Sequence, residues 1–370
     1  MRRHRSHAGM SLIELLVALA VGSAMIAGAV YAYSEGRRLY TVNEALARVQ
    51  EQARYAMSVI QPDAELAGFL GFTNSSDTIR WLQGAAPNVV LASAAALRQR
   101  PLPPLPAVPV PAPGLPASAH ACGTNFAVDV NLPVQGSNNE FRLGEDATAA
   151  CGPYGTGAVA GSDTLTVRRA SSEPTDPEAG RIQVYASRLT SRTAQVLFAD
   201  GVAPGPIDDD HRVHDWIVRT YYVSQDSVDR PGLPALRVKT LTRVGGNPTF
   251  VDTEVMPGVE DMQVQFGIDS GDYNNDGIVD AAVDQNGDGI PESDGRATRY
   301  VNADFPGLAT LQVVSIRLWL RVRGAEVEPG FIDDRRYQYA DVDYTPSGAE
   351  RLFRRVLVSR TIALRNARTL

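Results

Sequence analysis

The stretch MSLIELLVALAVGSAMIAGAVYAY, residues 10–33, decides how this chain is built. From Leu15 to Tyr33 it carries no charged side chain. A helix of that length, at 1.5 Å rise per residue, spans about 29 Å, close to the hydrocarbon thickness of a bilayer. Glu14 interrupts the start of the apolar run. Because an ionised carboxylate is costly at membrane depth, Glu14 calls for a partner or a function.

The segment MRRHRSHAG, residues 1–9, precedes the apolar run and contains arginines but no acid. A secretory signal peptide carries a small-residue cleavage site after its apolar region. Here the small residue, Gly9, comes before that region, so cleavage after it would leave the apolar helix on the mature protein. Arg37 and Arg38 follow the run, so the positive-inside bias is weak. Export of the body is therefore inferred mainly from the position of the cleavage site.

An amphipathic helix is predicted to continue from the apolar run. Apolar residues recur at spacings of three and four, namely Leu39, Val42, Leu46, Val49, Ala53, Ala56 and Ile60. This spacing places them on one stripe of a helix, and Pro62 is a natural stop. We predict one helix from near Met10 to near Ile60, with a transmembrane half at 10–33 and an amphipathic half at 34–61.

The remainder of the chain predicts a β-rich body. Apolar residues alternate in DMQVQF, residues 261–266, and in LQVVSIRLWLRVRG, residues 311–324. Similar runs lie at 164–170, 181–186, 213–224 and 354–366. Such alternation is typical of half-buried antiparallel strands, whose opposite face, here with Arg317, Trp319 and Arg321, is solvated. A long helix packed on an antiparallel sheet is an α+β arrangement. We therefore predict an α+β fold in which residues 161–370 form the β-rich body.

Between helix and body, residues 62–160 predict little regular structure. Prolines crowd residues 101–116, which excludes helix and central strand there. Cys122 and Cys151 are the two cysteines of the chain. In an exported body they can form a disulfide, closing a loop of about 30 residues worth roughly 3–4 kcal/mol. The alternative is two free thiols in a reducing compartment.

An acidic, glycine-punctuated loop runs from 269 to 295 and contains two D-x-N-x-D-G phases. Its candidate calcium ligands are Asp272, Asn274, Asp276 and Asp280 in the first phase and Asp284, Asn286, Asp288 and Glu292 in the second. Oxygen ligands at alternating positions suit Ca²⁺. The EF-hand glutamate is absent at the twelfth places, Val283 and Gly295, and the spacing is closer to thrombospondin type 3 or dockerin-like calcium loops. The alternative is a polar hairpin without metal.

Composition and motifs argue against several function classes. The chain has 370 residues, of which 44% are hydrophobic, so it can bury a core. Its net charge of −7 argues against binding to a nucleic-acid phosphate backbone. No hydrolase elbow, zinc-protease, Walker or dinucleotide motif occurs, so we expect no enzymatic activity. A second cluster at 208–215 places His211 and His214 among aspartates. It follows no zinc spacing and predicts a solvated loop leading into a strand.

The residues around G-MSLIE-LL resemble the type III signal of type IV pilins and their pilin-like relatives. The resemblance implies that a prepilin peptidase cuts between Gly9 and Met10 and methylates the new amine. It also implies that, in a filament, the carboxylate of Glu14 approaches the terminal amine of a neighbouring subunit, since a buried charge is tolerated when it is paired. The expected location is the inner membrane, single-pass with a periplasmic C-terminal body, and then the pilus fibre.

Further segments resemble the PilW-type minor pilins. They are ARYAMSVIQPDAELAGFLG at 53–71, PGVEDMQVQFGID at 257–269, VVSIRLWLRVRG at 313–324 and TIALRN at 361–366. The resemblance implies a minor pilin that primes or caps pilus assembly, with other minor pilins, the major pilin and prepilin peptidase as partners. Two alternatives remain open: a minor pseudopilin of type II secretion, and an unprocessed, membrane-anchored calcium-dependent adhesin.

Overall fold

The computed structural model describes residues 11–72, 80–83, 86–90, 122, 126–130, 132–143, 151–188, 196–269, 295–328 and 330–366. It contains one long helix, α1, Leu12–Glu65, followed by strands. The strands are β1 Arg80–Gln83, β2 Ala86–Val90, β3 Val134–Ser137, β4 Thr164–Ala170, β5 Gln183–Ser187, β6 Val196–Phe198, β7 His211–Ser224, β8 Ala235–Val244, β9 Asn247–Pro257, β10 Val259–Asp269, β11 Arg299–Asn302, β12 Gln312–Arg323, β13 Tyr337–Tyr339, β14 Val342–Tyr344 and β15 Arg355–Ala363.

The chain divides into two compact units, Met1–Arg48 and Val49–Leu370. In the first, α1 exposes its apolar side chains, including Leu12 at 78% and Met25 at 72%. The most apolar part of the helix has a mean hydropathy of 2.2, and by length and composition it can cross a membrane. A signal sequence near an N-terminus passes the same test, so the anchor needs support from the motif beside it.

In the second unit, α1 continues past its predicted stop. Pro62 lies inside the helix, and its carbonyl oxygen accepts a hydrogen bond from the backbone N–H of Leu66 at 3.1 Å. A proline one turn before the end removes one helical hydrogen bond. Burial of Asp63 and Ala64 in the body offsets that loss, so tertiary packing extends the helix to Glu65.

The strands of the second unit form two main sheets within the described residues. The larger has the order β2-β1-β6-β5-β7-β4-β3, and β8 and β9 continue it from β7. The smaller has the order β11-β10-β12-β15, and β13 and β14 form a separate hairpin. Pairing is antiparallel except between β1 and β6. β1, β2 and β3 lie within 62–160, the stretch for which the sequence predicts little regular structure.

The main core lies between α1 and both sheets. Its helix side comprises Val49, Ala53, Ala56, Met57, Ile60 and Ala64. Met262, Val264 and Phe266 of β10 are at most 1% exposed, and Ile316 and Leu318 of β12 are fully buried. The predicted core face of these strands is therefore confirmed, and with it the α+β arrangement of a long apolar helix followed by antiparallel sheets.

A second apolar cluster surrounds the two cysteines. Cys122 and Cys151 form a disulfide with their Cα atoms 5.3 Å apart, an ordinary separation for such a bond. Both lie in one cluster with Trp216, whose indole N–H donates to the carbonyl oxygen of Ala127 at 2.7 Å. The predicted pairing is confirmed, and the disulfide joins two positions of the irregular segment whose cluster includes side chains of the larger sheet.

Candidate assembly and processing site

Glu14 takes part in a capping box at the start of α1. The hydroxyl oxygen Oγ of Ser11 accepts the backbone N–H of Glu14 at 3.2 Å. In return, Oε2 of Glu14 accepts the backbone N–H of Ser11 at 2.9 Å and its hydroxyl at 3.1 Å. The exchange satisfies N–H donors that the first helical turn leaves unpaired. The sequence already carried this signal, Ser-x-x-Glu, and the sequence reasoning missed it.

The capping box fixes where the Glu14 carboxylate lies. Its charge stands at the positive end of the helix dipole, where anions are favoured. Ser11 holds one oxygen, Oε2, while Oε1 has no hydrogen-bond partner within the described residues. The carboxylate is thus held in place by its own chain and retains one oxygen for a second donor.

Several residues predicted from the sequence lie outside the described part of the chain. These are the processing residues Gly9 and Met10 and all eight candidate calcium ligands, Asp272, Asn274, Asp276, Asp280, Asp284, Asn286, Asp288 and Glu292. Both ends of the acidic loop are described: the backbone N–H of Gly295 donates to Oδ2 of Asp269 at 3.1 Å. Processing and calcium binding stay predictions.

The histidines of the cluster at 208–215 have separate partners. The ring nitrogen Nδ1 of His211 lies 2.8 Å from Oδ1 of Asp208, whereas Nδ1 of His214 lies 2.8 Å from the carbonyl oxygen of Ser171. Burial lowers the pKa of His214. Among the residues that the structure describes, no group of three or more His, Cys, Asp or Glu is placed to hold a metal.

Asp63 is a buried residue whose contacts with β4 and β7 were not predicted from the sequence. Its carboxylate accepts hydrogen bonds from Arg169 at 2.7 Å, Arg219 at 2.8 Å and the hydroxyl of Tyr221 at 2.6 Å. Burial disfavours its charged form, but Arg219, Tyr221 and Arg169 outweigh burial and hold its pKa below the usual value. Asp63 follows Ile60 by three residues and so continues the apolar stripe, which was the available signal.

A second buried charge cluster corrects the prediction of a solvated outer face on β12. Oε1 of Glu260 accepts hydrogen bonds from Nε of Arg321 at 2.7 Å and from Nε of Arg355 at 2.6 Å. The guanidinium of Arg321 lies 3.7 Å from the ring centroid of Tyr344, and Arg321 is only 8% exposed. The hairpin β13–β14 therefore covers this end of the sheet and buries the arginine against tyrosines.

Two family models match the chain. The one described as Type IV Pilus-assembly protein W matches residues 220–366, from β7 through the smaller sheet and the hairpin. The one described as Prokaryotic N-terminal methylation motif matches residues 4–30, which include Gly9, Met10 and Glu14. Comparison with curated proteins and with solved structures gave no match.

Proposed function

We propose that this chain primes or caps assembly of a type IV pilus fibre. It is a type IV pilin-like protein of the PilW type, and a chain of this kind is a minor pilin processed by prepilin peptidase. A pilus component of this kind is structural, in keeping with the absence of catalytic motifs in the sequence. The observation that supports the proposal best is the start of α1. An exposed apolar helix there carries the Glu14 carboxylate, whose Oε1 accepts no hydrogen bond from the residues that the structure describes.

The proposed mechanism begins with cleavage between Gly9 and Met10, which creates a new amine at Met10. Glu14 lies four residues further on, inside the membrane segment. Within a bundle of such helices, its carboxylate pairs with the terminal amine of a neighbouring subunit. In a low-dielectric surrounding a paired charge is tolerated and an unpaired one is not. Assembly into the bundle therefore relieves the penalty and fixes the axial register.

The proposed location follows from the same helix. The N-terminal motif and the apolar helix fit a membrane-anchored pilin. We infer that the body lies in the periplasm before assembly and at the cell surface afterwards. The disulfide between Cys122 and Cys151 supports an oxidising compartment for the body. The partners in this proposal are other minor pilins, the major pilin and prepilin peptidase.

Two variants separate pairing from helix capping as the role of Glu14. Glu14→Gln keeps a side chain that can complete the capping box but removes the charge. Ser11→Ala breaks the box and leaves the charge. If Glu14 pairs with a neighbouring amine, Glu14→Gln is processed and inserted in the membrane but enters sheared pili poorly, while Ser11→Ala enters them nearly normally. The reverse order would reject the pairing mechanism.

Mass spectrometry of the native N-terminus tests the assignment itself. An N-methylated Met10 is expected for a processed pilin. An intact Met1 would instead support an unprocessed membrane-anchored adhesin and would overturn the proposed function. Presence of the processed chain in purified fibres, with loss of fibres on its deletion, then tests the priming or capping role.

A further inference from the structure

Among the described residues, one half of the outer face of the smaller sheet carries half-buried and exposed side chains. Asp261 and Arg321, at one end, lie under Tyr339 of the hairpin. The other end carries a set of side chains here named the Arg317 surface. It comprises Gln265, Tyr300, Arg317, Trp319, Ser359 and Thr361, which pairing across β11, β10, β12 and β15 brings to one face.

The position of Tyr300 on this surface depends on a glycine. Gly267 lies opposite Tyr300 on one side and Ser315 on the other. A Cβ atom on Gly267 would lie 2.9 Å from a ring carbon of Tyr300, closer than packed carbon atoms approach. The missing side chain lets the ring lie across β10, where its hydroxyl is 3.1 Å from Oγ of Ser315. The Tyr300 ring is thereby fixed flat on the sheet.

Arg317 is stacked but not paired. Its guanidinium carbon lies 3.7 Å from the ring centroid of Tyr300 and 6.0 Å from that of Trp319. Within the described chain it forms neither an ion pair nor a hydrogen bond. Stacking holds the plane of a guanidinium and leaves its N–H edge free for a bidentate carboxylate. Arg317 is therefore a preorganised site for an anion.

The groups around Arg317 are polar. Nε2 of Gln265 donates to Oδ1 of Asn302 at 2.9 Å, which orients the Gln265 amide. Ser359 and Thr361 are exposed on the neighbouring strand, and the half-buried Trp319 makes no hydrogen bond through its indole N–H among the described residues. None of the large exposed aliphatic side chains of the described body lies on this surface.

This composition suits a sugar better than a protein. Tyr, Trp and Arg occur in protein interfaces as well, but the centre of such an interface is mostly apolar. Here amides and hydroxyls surround Arg317, and no large exposed aliphatic side chain of the described body lies beside it. We propose that the Arg317 surface binds an acidic polysaccharide, with a uronate carboxylate on Arg317 and the apolar face of a sugar ring on Trp319. The inference goes beyond the proposed pilus role, because it assigns the exported body a ligand of its own.

The test titrates the full chain, purified in detergent, with oligogalacturonide and with the same oligosaccharide methyl-esterified. The two probes share their rings and differ in charge. We expect the acid to bind more tightly than the ester by about tenfold, as for loss of one charge-assisted contact. Calorimetry reports binding, and so does the part of the tryptophan fluorescence change that Trp319→Ala removes. Absence of binding, or equal binding of acid and ester, would overturn the proposal.

Variants locate the site on the sheet. Arg317→Gln should remove the preference for the acid, and Trp319→Ala should weaken both probes. Arg317→Lys keeps the charge without the planar fork and should bind the acid with an intermediate affinity. Arg230→Gln, an exposed arginine elsewhere, is the matched control and should bind as the wild type does. Unchanged binding by Arg317→Gln, or poly-glutamate binding as tightly as the acidic sugar, would reject the site.

Discussion

Asp63 of α1 and Arg169 of β4 form a buried ion pair, with Oδ1 and Nη2 2.7 Å apart, between residues 106 positions apart in the chain. The pair joins the last turn of the helix to the larger sheet. Because Arg219 and Tyr221 of β7 bind the other carboxylate oxygen, one aspartate ties the helix to two neighbouring strands. The last turn of α1 is thereby fastened to the larger sheet.

Removing this carboxylate should destabilise the body strongly. Asp63→Ala leaves Arg169 buried without a counter-charge, which typically costs about 3–5 kcal/mol. Urea unfolding of the full chain in detergent, followed by tryptophan fluorescence, measures the loss. The control is Glu65→Gln, whose partner Arg365 is 69% exposed, and it should change the free energy of unfolding by less than about 1 kcal/mol. Equal effects of the two variants would contradict the assigned role.

Asp163 should make the stability of the body fall as pH rises. Burial raises its pKa to about 7, although the backbone N–H groups of Asn139 and Val264 donate to it and lower the pKa. In the unfolded chain its pKa is about 3.9. Between these values the folded state binds more protons, so its contribution is complete below about pH 4 and is lost towards about pH 7.

The variant Asp163→Asn tests this pH dependence. Asparagine cannot titrate, so the fall in unfolding free energy between about pH 4 and about pH 7 should flatten, whatever the variant costs in overall stability. Asp63 acts in the opposite direction: its lowered pKa makes its contribution fade as the medium becomes acidic. The measurement is therefore the difference in slope between wild type and variant. Parallel slopes would show that Asp163 is ionised throughout.

Reduction of the disulfide should destabilise the second apolar cluster. Cys122 and Cys151 are 29 positions apart, and a loop of that size gives roughly 3–4 kcal/mol in the chain-entropy account. Unfolding in urea with and without dithiothreitol measures the effect. A Cys122→Ser, Cys151→Ser double variant should be less stable than the oxidised wild type and insensitive to the reductant. A wild type that is equally insensitive would show that the bond does not stabilise the body.

The acidic loop should bind Ca²⁺ if its sequence pattern has been interpreted correctly. Calorimetric titration of the full chain in detergent with Ca²⁺ should release or absorb heat, and Ca²⁺ should slow proteolysis within 269–295. Asp284→Ala, which removes a ligand that both phases can share, should abolish both effects. Asp209→Ala, in the other acidic cluster, is the matched control. No heat and unchanged proteolysis in the wild type would leave the loop as a polar hairpin.

Local patterns predicted much of this architecture. The spacing of Ala53, Ala56 and Ile60 placed the helical stripe, and the alternation in β10 and β12 placed the core face, because each depends on residues within one element. Pro62 misled the prediction of the helix end, since burial of the turn after it outweighed its local preference. Asp63 was overlooked because its partners come from strands far along the chain.

By itself the sequence determined the apolar helix, the Ser11–Glu14 cap and the alternating strands, because residues a few positions apart decide them. Only the tertiary structure decided the burial and the bonding partners of two arginines on one strand. Arg317 and Arg321 share a face of β12, yet the hairpin buries Arg321 beside Glu260 and Tyr344, while Arg317 forms no ion pair or hydrogen bond with the part of the chain that the structure describes. The physical reason is that cover and counter-charge come from distant segments, whose approach depends on strand register rather than on neighbouring residues.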